Sequence, residues 1–224
     1  MFPYPFSFLG TTESGLDQLD NDYYMDFDGV DDYMTTNIVN PIAGTSDFTI
    51  SCWIKSTATG VYGNYMWATA CAIWGVPSQA FGILLRTPYG TTDLKVCVGS
   101  GSFGSTIVND GDWHHVMSVW EYAQGTAGRI SYYIDGNTTA EVAVDVVSYW
   151  PDHQVMPTPM IGHTAYTSGT YIPFEGFIDE WAWWNSNQSS NVQEIYDATD
   201  IAGKKCADLS SMTTPPVAWY RMGD

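Results

Sequence analysis

The chain is 224 residues long, 45% apolar and 14% charged, enough apolar material for a packed core and too much for intrinsic disorder. Acidic residues outnumber basic ones 25 to 7, a formal charge of −18, which excludes the basic footprint of a nucleic-acid binder and electrostatic docking on anionic lipid. No stretch approaches the ~18 consecutive apolar residues of a membrane span, and Met1 to Gly10 lacks the basic n-region of a secretory leader. Two routes fit that pattern: use without Sec export, or a signal removed before this numbering begins.

Residues 1–21 begin with an aromatic and proline-rich arm, MFPYPFSFLG. It shows no strand alternation and is expected either to tuck onto its own domain or to lie on a neighbouring subunit. Short strands come next, each rich in β-branched or aromatic residues and bounded by Gly, Pro, Asn, Asp or Ser. They are predicted at Tyr23–Phe27, Phe48–Lys55, Tyr65–Trp74, Phe81–Arg86, Leu94–Val98, His114–Tyr122, Arg129–Ile134, Ala140–Val147 and Phe177–Trp184. Asp135-Gly136 after ISYYI is a strong hairpin signal, because a type I′ turn needs positive φ. Only Ser189–Ala198 reads as helix, with serines at its start and Val192, Ile195 and Tyr196 on one face.

That run of strands with one late helical turn predicts an all-β fold, a two-sheet antiparallel sandwich or jelly roll with one short C-terminal helix, over residues 22–198. Residues 199–224 form a tail in which VAWYRM fits a last strand. Phe48, Ile50, Cys52 and Ile54 share a parity and should face the opposite sheet. Trp113, Trp181 and Trp183 are expected between the sheets as well. Cys52 and Cys97 lie in apolar runs, where a thiol behaves as a small buried hydrophobe.

Few residues suggest catalysis. EGFIDE at 175–180 holds three acids, but on a regular strand Glu175 and Asp179 share a face while Glu180 opposes them. Acid pairing of the glycosidase kind is therefore not expected, and no nucleophile-elbow, zinc, Walker or dinucleotide motif is present. The adjacent His114 and His115 point to opposite faces and cannot chelate one ion. Asp28, Asp31 and Asp32 crowd a glycine-containing turn. That is a set of hard oxygen donors suited to calcium, or equally a set of caps for backbone amides in an Asx turn.

Ten tryptophans and fifteen tyrosines exceed what one sandwich core needs. Loop aromatics can stack on the apolar faces of sugar rings. Candidates are Tyr62, Tyr65, Tyr89, Tyr166, Tyr171 and above all Tyr149 and Trp150, which sit beside Asp152 as a hydroxyl acceptor.

Four segments in register resemble the laminin G-like jelly roll of the concanavalin A-like lectin/glucanase superfamily. They are MDFDGVDDY at 25–33, FTISCWIK at 48–55, DWHHV at 112–116 followed by ISYYIDG at 130–136, and GFIDEW at 176–181 followed by Asn185 and the helical turn. The resemblance implies that the first and last strands lie side by side, bringing Asp28, Asp31 and Asp32 near Asp179 as a structural calcium site. Where the family usually has an arginine after IDE-x, this chain has Ala182, so a supporting ion pair is expected to be missing.

The DGVDDY opening and the VAWYRMGD tail resemble virion proteins of tailed phages. The resemblance implies a non-catalytic, surface-displayed binding and structural module, in capsid decoration or a tail appendage. Its expected partners are other copies of itself, virion proteins and cell-surface glycans, with neither nucleic acid nor membrane insertion. The alternatives are a secreted calcium-dependent lectin or adhesin and, less favoured, a glycoside-active enzyme.

Overall fold

The computed structural model of the chain describes residues 18–20, 23–38, 47–59, 67–72, 82–98, 101–123, 127–146, 159–165, 171–198 and 205–222. In chain order the strands are β1 (Gln18–Asp20), β2 (Met25–Asp28), β3 (Met34–Thr35), β4 (Phe48–Lys55), β5 (Trp67–Ala72), β6 (Gly82–Arg86), β7 (Lys95–Val98), β8 (Ser102–Phe103) and β9 (Trp113–Ala123). They continue as β10 (Ala127–Ile134), β11 (Val142–Val146), β12 (Met160–Ile161), β13 (His163–Ala165), β14 (Tyr171–Pro173), β15 (Glu175–Trp184), β16 (Lys205–Ala207) and β17 (Ala218–Tyr220). A 3-10 turn at Ser189–Asn191 leads into helix α1 (Val192–Ala198).

Seven strands form one antiparallel sheet, in the order β11-β10-β9-β4-β15-β17, with β2 also paired to β15. The facing sheet runs β3-β12-β5-β6-β7-β8. The expected sandwich is thus the observed architecture, and the first and last strands of the resemblance do lie side by side, with Phe27 opposite Gly176.

Period-2 alternation builds the core. Phe48, Ile50, Cys52 and Ile54 all enter it from β4, and Val116 and Trp120 enter from β9. Phe48 lies stacked between Trp120 and Trp183, with centroids 5.3 and 5.0 Å away and planes tilted by 10° and 4°. Each such pair adds about 0.5–1.5 kcal/mol beyond area burial. Cys52 and Cys97 are buried free thiols; burial pushes the Cys97 thiol up to about 12, so it has no thiolate character. Asp135 and Gly136 both adopt positive φ, +50° and +72°, and Asn137 N donates to Ile134 O at 3.0 Å, the left-handed turn that the Asp-Gly pair predicts.

The large sheet also has an outer apolar face. Met117, Val119, Ala182 and Trp184 meet Val192, Ile195 and Ala198 of α1, with Leu209 and Met212 of the C-terminal segment. The expected helix is therefore real but begins one turn late in α-geometry, and it covers the sheet face opposite the facing sheet.

Trp181 and Trp183 fill the inter-sheet space with no exposure. Trp113 does not. It carries the odd parity of Met117 and Val119 and so stands on the outer face.

Candidate functional site

Strand β2 ends in a turn built by its own acids. Asp28 Oδ1 accepts from Val30 N at 2.8 Å and from Asp31 N at 3.4 Å, while Asp32 Oδ2 accepts from Asp28 N at 3.1 Å. This is the Asx geometry, and Gly29 supplies the left-handed φ of +74° that it needs. The same fold brings ligand oxygens of Asp28, Asp31 and Asp32 within 4.8 Å of one another, all exposed. Asp28 Oδ2 and Asp32 Oδ1 take no part in the turn bonds. The set therefore fits a hard cation, because it offers carboxylate oxygen only and two of its members are already held in place by backbone amides. Calcium bound there would tie the turn together and neutralise three crowded charges.

Asp179 is not part of that group. The register places Glu175, not Asp179, across from Asp28, and Asp179 lies four residues further along β15, roughly 13 Å at strand rise. It has no exposure, and its Oδ1 accepts from Glu180 N at 2.7 Å.

Glu180 marks a β-bulge. Its φ is +50°, and the β15–β4 register shifts between Asp179 and Ala182. The extra residue reverses the parity of the rest of the strand, so Trp181 and Trp183 point inward although Phe177 and Asp179 point outward. The Glu180 carboxylate is fully buried. Trp219 Nε1 donates to its Oε2 at 2.6 Å, and Arg221 Nε lies 3.5 Å from its Oε1, with the guanidinium 5.6 Å over the Trp219 ring. Ala182 supplies no ion pair on β15, and Glu180 is instead paired from the C-terminal segment.

Beyond the reach of α1, the outer face of the large sheet is open among the described residues. Register aligns Asp26, Phe177, Lys55 and Trp113 in one row across β2, β15, β4 and β9. Tyr24 stands over this row, 4.7 Å from the Phe177 ring and 5.6 Å from Trp113, edge-on to both. Beside the rings is an open cleft of about 280 Å³, lined by residues that include Asp26, Asp28, Lys55, Glu175 and Phe177. Its floor depends on Gly176, whose φ is +135° and whose missing Cβ would sit 2.3 Å from Lys55 O. Any side chain there would push β15 away from β4.

The next row inward, Asp179, Trp53 and His115, is buried. Tyr196 of α1 packs on it, 5.3 Å from the Trp53 ring and 5.8 Å from His115. Neither ring nitrogen of His115 has a hydrogen-bond partner among the described residues, and burial lowers its pKa to about 4, against the weaker pull of Asp135. His114 has the opposite surroundings. Asp135 Oδ2 lies 2.9 Å from its Nδ1 and Asp110 Oδ1 lies 3.2 Å from its Nε2. Only the imidazolium donates at both nitrogens, so its pKa is raised, chiefly by the Asp135 hydrogen bond. The two rings do point apart, as expected, but both are buried.

Tyr149, Trp150 and Asp152 lie outside the described residues, as do Tyr62, Tyr65 and Tyr166. Tyr171 falls in β14, and Tyr89 is exposed on its loop. Sequence reading missed the row of Tyr24, Asp26, Lys55, Trp113 and Phe177. The odd parity of Lys55 and Trp113 was readable, but their meeting depends on four-strand register.

Fold and site together define a concanavalin A-like β-sandwich with an acid- and aromatic-lined cleft at one end of its outer face. The chain belongs to the laminin G family of the concanavalin A-like lectin/glucanases superfamily, whose profile matches residues 28–195. Among curated proteins, none matches the chain in sequence. Among solved structures, a carbohydrate-binding protein so described from Bacteroides ovatus ATCC 8483 is similar at TM-score 0.54 and 17% identity, over 94% of this chain and 53% of that one. This chain therefore spans about half the length of that relative. The CBM40 of Ruminococcus gnavus IT-sialidase, bound to alpha2,3 sialyllactose, is similar at TM-score 0.51 and 9% identity, over 82% of this chain and all of that one. At such identities the likeness concerns the fold.

Proposed function

We propose that this chain is a non-catalytic, surface-displayed binding module that adheres to glycans, carried on a tailed-phage virion as capsid decoration or a tail appendage. The observation that carries the non-catalytic reading is the state of Glu180. A glycosidase reading of EGFIDE needs this acid at the substrate, whereas it is fully buried and held by Trp219 and Arg221. The remaining acids of the cleft, Asp26, Asp28 and Glu175, are exposed neighbours on one strand pair, rather than an acid and a nucleophile on opposite walls. Glycan adhesion is supported by family membership and by the names of the structural neighbours, a carbohydrate-binding protein and a CBM40. No helix among the described residues is long and apolar enough to cross a membrane. The virion setting rests on the resemblance of the DGVDDY opening and the VAWYRM tail.

The Asp28, Asp31 and Asp32 cluster favours a second reading, a secreted or cell-surface lectin whose calcium shapes the turn. In either setting the ion is structural. A glycan array probed with the full chain, with and without EDTA, together with a β-glucan panel assayed for reducing ends, tests the shared core of both readings. Binding without sugar release is expected. Release of sugar, or silence on every glycan, contradicts it. Detection of the chain in particles purified from lysate separates the virion from the secreted form.

A further inference from the structure

We infer that the cleft at the end of the outer sheet face is a saccharide subsite selective for uncharged pyranoses, with Asp26 and Glu175 of its lining as hydroxyl acceptors and Tyr24, seated on the lining residue Phe177 at the cleft's edge, as the stacking surface. The inference rests on the glycan-binding reading and assigns it a place and a ligand class. Three independent features of the same spot carry it.

The first is exposed aromatic surface. Tyr24 is 50% exposed, standing edge-on against the Phe177 and Trp113 rings. Those two are half-buried beneath it, so they fix its orientation while its outward face stays wet. A fixed ring costs little ordering entropy on binding, and it offers a π-face to the C–H side of a pyranose.

The second is polar convergence. Carboxylates of Asp26 and Glu175 and the ammonium of Lys55 border one cleft of about 280 Å³, at the lower edge of the volumes that hold small ligands. A carboxylate accepts from two vicinal hydroxyls and an ammonium donates to a third. Ser56 is not available for this role, since its hydroxyl already donates to Glu175 O at 2.7 Å.

The third is charge. Two carboxylates, Asp26 and Glu175, face a single lysine there, within a chain of net charge −18; Asp28, the third acid of the lining, belongs to the turn proposed to hold calcium. An excess of like charge disfavours sugars that carry carboxylates. Sialic and uronic acids are therefore excluded, and neutral hexoses remain.

The test uses the full chain and titration calorimetry at two salt concentrations, with neutral galacto- and gluco-oligosaccharides set against sialyllactose. Neutral oligosaccharide should bind with little salt dependence, and sialyllactose should not. Tyr24→Ala and Asp26→Asn, both at exposed positions, should each weaken binding about tenfold, with the near-UV spectrum retained. Undiminished affinity in both cleft variants overturns the inference and leaves the glycan-binding reading standing; so does preference for sialyllactose. Absence of binding to every saccharide removes both.

Discussion

His114 and His115 are neighbours in sequence with opposite acid–base behaviour, because one ring is clasped by two carboxylates and the other is sealed among aromatics. His115 is neutral in the fold, at a pKa of about 4, while the unfolded chain takes up that proton near the ordinary value of about 6.5. Between these values the unfolded state binds more protons, so stability falls as pH drops through that window, by on the order of 3 kcal/mol at its acid end. His114, with its pKa raised, contributes in the other sense. Its stabilisation is complete below the unfolded value and is lost as pH rises through the folded one. Thermal melts from pH 4 to 8 should therefore show His115→Phe gaining on the parent as pH falls below 6.5. His114→Gln should lose most on the acid side. Parallel pH curves for parent and His115→Phe would contradict the burial argument.

At the scale of elements, β15 is the organiser. It pairs with β2 through residues 175–178 and with β17 through 181–183, either side of its bulge, so an early strand and the last strand lie along the same side of it. Much of this was legible in the sequence. The alternation of Phe48–Lys55 gave β4 with its observed bounds, and Trp181 and Trp183 were correctly assigned to the core. The bulge was not legible, because positive φ at Glu180 is set by the β4 register and not by local residue type. The resemblance implied Asp179 beside the Asp28 turn, whereas the register pairs Asp28 with Glu175 and leaves Asp179 two side-chain rows further into the sheet. Trp113 was assigned inward from its hydrophobicity, whereas strand parity puts it outward.

Arg221 illustrates a partnership that no local pattern announces, since it reaches Glu180 from the far end of the chain. Removing one partner of a buried pair costs about 3–5 kcal/mol. Arg221→Met should therefore lower stability by about that amount in urea titration, and Arg221→Met combined with Glu180→Leu should recover part of it. A single variant as stable as the parent would show that the pair is dispensable.

For the whole molecule the governing quantity is charge. With 25 acids against 7 bases, the compact state repels itself, and the Asp28, Asp31 and Asp32 turn concentrates that repulsion at one exposed point. A cation that binds only the folded form stabilises it by mass action, about 2.7 kcal/mol at a hundredfold excess over Kd. Melting temperature should accordingly rise with millimolar calcium, fall with EDTA, and lose its calcium dependence in Asp31→Asn. Identical melts with and without chelator would leave the turn as Asx geometry alone.

The proposed function has the jelly roll holding saccharide without cutting it, and one experiment reaches that claim directly. Incubating the intact chain with a defined neutral oligosaccharide, and following ligand-observed NMR over a day, reads binding and hydrolysis from the same sample. Saturation transfer to the sugar with an unchanged anomeric spectrum is the predicted result. New reducing-end signals, or no transfer to any sugar in the panel, would contradict it.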